Sequence, residues 1–195
     1  MRVATLLFFF LPRLATAQEP LPALRFFAAD PQHGEFADSA RKLWQVDGSR
    51  VIAALQAASG LRFRDQEITV IMRGATASSG AAGNPNSPLR LDLRYPILMS
   101  LTHELGHRLN AQLTHLPPEL KSGHGGLDAH KLLYLYLYEV WVQLYGTQTA
   151  DTWRDTERGW ADLGYEFIRT AWDWAMALGP EGRARKFREV VAANR

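Results

Sequence analysis

The chain has 195 residues, 47% of them apolar, which suits one domain with an ordinary core. It has no cysteine, which excludes disulfides, thiolate metal sites, a cysteine nucleophile and a lipid anchor through an N-terminal cysteine. The formal net charge is +2, but Arg2 and Arg13 lie in an acid-free leader; without them 20 basic residues face 20 acidic ones, so no general attraction to nucleic acid follows.

The N-terminus reads MRVATLLFFFLPRLATAQEP. Arg2 gives a positive start, Val3 to Leu11 an apolar run, and Ala15-Thr16-Ala17 a small-x-small cleavage site. The run is shorter than the roughly 18 residues a spanning helix needs. Residues 1–17 are therefore expected to be a signal peptide. Residues 18–195 are expected to be a single domain, exported to a periplasm or secreted, with no stable membrane span after cleavage.

Glu35 to Gln45 and Ser49 to Ser59 read as two short helices broken at Asp47-Gly48. EITVIMR (67–73) is β-branched and apolar, hence a strand. A small polar segment follows at 75–88. Leu89, Leu91 and Leu93 alternate with Arg90, Asp92 and Arg94, the pattern of a half-buried strand. Pro96 suits a helix start, and Leu98, Leu101, Leu105 and Leu109 keep helical spacing through about Leu113. Asp128 then suits the cap of one helix running to Tyr145, with Gly146 as its stop. A further helix is expected over Trp153 to Leu178, and a last one over roughly 181–193. The order gives an α+β fold with helix dominant.

The central helix carries His103-Glu104-Leu105-Gly106-His107, an H-E-x-x-H sequence. Residues i and i+4 share a helix face, about 5–6 Å apart at Cβ. Two imidazoles so placed can both reach one zinc ion at about 2.0–2.1 Å. Glu104 is then offset to address water at the metal.

With this motif the stretch from about Leu89 to Gly146 resembles the zincin metallopeptidases, in the gluzincin, thermolysin-like branch. The resemblance implies a small sheet followed by the motif helix, a third-ligand helix and C-terminal helices. It implies His103 and His107 as ligands, Glu104 as general base, and a glutamate on a later helix as third ligand. The metzincin branch would need glycine and histidine where this chain has Asn110 and Leu113.

Glu119, Asp128, His130 and Glu139 are the downstream candidates for the third position. Glu119 follows two prolines; Asp128 lies at a spacing close to the thermolysin-like one and stays the alternative to Glu139, but it stands where an acid usually only caps. His130 lies near the same helix start and is almost opposite Glu139 in helical phase. Glu139 sits within LLYLYLYEVWVQLY, where an acid needs a partner, either a metal or a buried Arg or Tyr. It is the preferred third ligand. Gln143, one turn on, matches the place where the thermolysin-like branch has an acid that supports a zinc-bound histidine. Gly106 fits a close approach by the second helix.

The expected function is an exported zinc-dependent peptidase acting on a peptide or protein substrate. Water activated by zinc loses its proton to Glu104, which later delivers it to the leaving amine. His124 or Tyr136 could stabilise the oxyanion. Substrate would lie along SSGAAGN (78–84) or the Leu89–Arg94 strand. The competing class is a non-catalytic exported metal-binding or interaction module.

Overall fold

The structure, a computed structural model, describes residues 21–74 and 87–195. The signal peptide expected at 1–17 and the segment 78–84 lie outside these residues.

Three parallel strands form a sheet in the order β1 (Ala23–Ala28), β2 (Glu67–Arg73), β3 (Leu89–Asp92). Ile68, Val70 and Met72 of β2 are fully buried and alternate with more exposed neighbours, the two-residue period of a pleated strand. β1 was not expected. Its sequence ALRFFA has no β-branched residue, and only Phe26 is buried. Its pairing with β2, Phe26 opposite Val70, makes it a strand. β3 ends two residues before the expected Arg94. There the Asp92 carboxylate accepts the Arg94 backbone N–H at 3.0 Å and turns the chain.

One helix, α1 (Gly34–Ser59), joins β1 to β2, as parallel neighbours require. Two helices broken at Gly48 were expected there. Gly48 stays helical because the Trp44 ring lies over it: a Cβ would come within 2.6 Å of that ring. The position suits glycine for packing, not for a turn. Gly60 ends the helix in the left-handed region, with φ +66°.

The motif helix α2 (Ile97–Asn110) is buried along nearly its whole length, so it runs through the core and not over its surface. The single helix expected from Asp128 to Tyr145 is two: α3 (Gly125–Tyr134) and α4 (Leu137–Tyr145). The break falls at Tyr136, with φ −142° and ψ −18°. Its buried hydroxyl docks on α2, its one proton shared between Gly106 O at 3.2 Å and Asn110 Oδ1 at 3.1 Å.

The aromatic stretch 153–178 is likewise divided. It contributes to α5 (Thr147–Arg158), a 3-10 turn (Gly159–Leu163) and α6 (Glu166–Ala177). α7 (Gly179–Ala192) follows. α2 packs on β3, α1, α3 and α4; α3 lies against α6, and α4 against α1 and α5. The fold is thus helix-dominant α+β with a small parallel sheet. No described helix is long and apolar enough to cross a membrane.

Candidate metal centre

Three histidines meet between α2 and α3. His103 and His107 share a face of α2, and His130 comes from α3. His107 Nε2 lies 3.1 Å from His103 Nε2 and 3.4 Å from His130 Nε2. The rings are 4.6 to 5.2 Å apart at their centroids and steeply tilted, so their edges converge on one point.

Two of the three rings have their other nitrogen engaged. His130 Nδ1 donates to the Gly126 carbonyl at 2.7 Å. A carbonyl only accepts, so Nδ1 carries the proton and Nε2 of the neutral ring presents a lone pair. His103 Nδ1 lies 2.6 Å from Glu157 Oε1, and a carboxylate fixes the same tautomer there. With both rings neutral, two lone pairs face His107 Nε2. One N–H on His107 can be shared between them only in bent geometry.

A cation satisfies all three nitrogens together. Two nitrogens bound to a tetrahedral zinc at about 2.0–2.1 Å stand about 3.3–3.4 Å apart. The separations of 3.1 and 3.4 Å fit that spacing. The donor set also fits, since three imidazoles leave a fourth tetrahedral position open.

The environment keeps two of the imidazoles neutral. Burial, with His103 beside it, lowers His130 to a pKa of about 3, although the Gly126 carbonyl favours its charged form. Burial, with His130 and His103, holds His107 well below the ordinary histidine range. His103 differs. Burial opposes its charge, but Glu157, supported by Glu104, outweighs burial and raises its proton affinity.

Glu157 is fully buried on α5. Its second oxygen accepts from Trp172 Nε1 at 3.0 Å, so both carboxylate oxygens are held. Trp172 stacks on Tyr134, 3.7 Å between centroids and 13° from parallel. Tyr134 in turn edges both His103 and His130. Trp141 packs beside Trp172 and donates to Thr102 Oγ1 at 2.6 Å, one residue before His103. The aromatic stretches 132–145 and 153–178 thus form the wall that orients the centre. Glu104 is buried in α2, and its charge acts on both His103 and Tyr134.

The structure brings His103, Glu104 and His107 together as expected from the motif. It places Glu139 elsewhere: its carboxylate meets Arg183 Nη2 at 2.5 Å, the arginine partner the sequence had left open. His130 stands where Glu139 was expected. The phase relation between the two assumed one continuous helix, and the break at Tyr136 removes it. α3 turns His130 toward α2, while Glu139 begins α4 facing α7.

Glu119 pairs with Lys186 at 2.7 Å. Asp128 accepts from Ser122 N and Oγ, tying down the loop before α3. Gln143 is exposed, and Glu157 supports the histidine instead. His124 caps α3 by accepting from Leu127 N at 3.1 Å, and Tyr136 is committed to α2. Gly106 does mark a close approach: a Cβ there would lie 2.4 Å from Leu133 Cδ1 on α3. One signal for Glu157 was present in the sequence. It continues the Ala150, Trp153 stripe at helical spacing, the buried face of α5.

No protein-family description, curated protein or solved structure matches this chain.

Proposed function

We propose that this chain is an exported, zinc-dependent metallopeptidase with a zincin-like site, in which His103, His107 and His130 hold the metal and Glu104 is the general base. The observation that carries this reading is the convergence of three imidazoles, with His107 Nε2 3.1 Å and 3.4 Å from the Nε2 atoms of His103 and His130. The placement of Glu104 beside that cluster, on the same helix, supports the catalytic part.

Bound there, zinc supplies Lewis acidity toward a peptide carbonyl and lowers the pKa of water toward about 7. Glu104 takes the proton of the attacking water as its oxygen bonds to the carbonyl carbon. It then delivers that proton to the nitrogen as the C–N bond breaks. Glu157 holds the His103 ring in one tautomer and orientation throughout. Three imidazoles, each ligating in its neutral form, would leave the ion's double charge undiminished, which favours electrophilic work.

A second reading, a non-catalytic exported metal-binding or interaction module, is favoured by one observation: His103 and Glu104 are only 2% and 4% exposed. Zinc content and peptide hydrolysis of the wild type and of Glu104→Gln separate the two. The peptidase reading expects about one zinc per chain in both proteins and hydrolysis in the wild type only. Metal without hydrolysis selects the module, and a folded protein without metal rejects both.

A further inference from the structure

Trp160 lies in the 3-10 turn after α5, three residues beyond Glu157. Its ring stands 5.8 Å from that of His103 and 4.8 Å from that of Tyr95, centroid to centroid. Its indole Nε1 is buried and has no acceptor among the described residues. The two neighbouring buried indoles are served: Trp141 donates to Thr102, and Trp172 to Glu157. An indole N–H can only donate, and a buried donor without an acceptor opposes folding. Such groups in a folded chain call for a specific reason, and a role at a functional site is one.

We propose that Trp160 is a substrate-contacting residue of the three-histidine centre, its Nε1–H donating to the carbonyl oxygen of the acyl group bound beside His103. The inference rests on the hydrolase reading above. It explains a buried donor without an acceptor on a ring that adjoins His103. The contact also strengthens when needed, because the carbonyl oxygen gains negative charge as water adds to its carbon. An indole does not titrate in the working range, so the donor is present at every pH at which Glu104 acts as a base. The turn from Glu157 to Trp160 then serves the centre twice, orienting one histidine and offering one donor. Tyr136 is not available for that task, since its hydroxyl is bonded to α2.

The test uses the zinc-loaded full chain and acetohydroxamate, a small metal-binding probe with a carbonyl oxygen. Trp160→Phe keeps an aromatic ring against Tyr95 and His103 but removes the N–H. The expected result is at least tenfold weaker hydroxamate binding, with zinc content and melting temperature close to wild type. In ¹⁵N-labelled wild type, the Trp160 Nε1–H resonance should move downfield when the probe binds. Probe affinity within twofold of wild type in Trp160→Phe overturns the inference. So does an unmoved resonance in wild type that binds the probe, a readout independent of how the variant folds; the hydrolase reading survives either result. Zinc-loaded wild type that binds no hydroxamate overturns the inference and the hydrolase reading together.

Discussion

Glu157 and His103, 54 residues apart in the chain, meet at 2.6 Å, Oε1 to Nδ1, and both side chains are buried. The carboxylate fixes the tautomer of the imidazole and turns its other nitrogen toward His107. Carboxylate-supported histidines of this kind bind metal more tightly because the ring is both oriented and more basic. Glu157→Gln should therefore weaken zinc affinity by about 10- to 100-fold while leaving the helical far-UV spectrum unchanged. Chelator-competition titration of the two proteins measures this, and equal affinities would show that the contact is structural only.

His130 and Glu139 make a paired test of the third position. His130→Ala removes one of three converging nitrogens and should abolish stoichiometric zinc binding. Glu139→Gln should leave zinc content unchanged. It should instead cost about 1–2 kcal/mol of stability, because the buried Arg183 loses its charged acceptor while the half-exposed glutamate was partly screened. Zinc analysis with urea unfolding on both variants decides the matter: metal loss in Glu139→Gln would restore the sequence-based choice.

Gly106 sets how closely α3 approaches the motif helix. Alanine is the better helix former by about 1 kcal/mol. Yet its Cβ would stand 2.4 Å from Leu133 Cδ1, so this fully buried side chain would have to shift within the core. Overpacking of that kind costs about 1–3 kcal/mol. Gly106→Ala should thus lower the melting temperature or, at best, gain nothing. It should also weaken zinc binding, since Leu133 lies one turn from His130. A stabilised variant with intact affinity would count against this packing.

Asp92 should make part of the stability acid-sensitive. Burial raises its pKa, but hydrogen bonds and charge from Arg94 outweigh that and leave it lowered. A carboxylate with a depressed folded-state pKa contributes stability that is fully present above its unfolded value, about 3.9, and is lost as pH falls through the folded one. The urea midpoint of Asp92→Asn should fall below that of wild type at pH 6. The gap should shrink below about pH 4, where wild type loses the same charge. A gap independent of pH would show that the hydrogen bonds, not the charge, matter.

His103, Glu104 and His107 were readable because one helix carries them: an i, i+4 spacing holds wherever the helix forms, whatever surrounds it. Strand β2 and the apolar face of α2 were legible for the same local reason. The readings that changed all depended on contacts distant in sequence. α1 runs through Gly48 because Trp44 covers it, and β1 exists because β2 pairs with it. Glu157 was not among the candidates read from the sequence, although its phase with Ala150 and Trp153 points inward.

The sequence by itself determined the histidine pair, the acid beside it and the need of Glu139 for a partner. Only the tertiary structure decided which partner. Tyr136 bonds to α2 and breaks one long helix into two, so His130 faces the histidine pair and Glu139 faces Arg183. Helical phase is a local property that survives only as long as the helix does. Where it ends was decided here by one buried hydroxyl reaching the backbone of another helix.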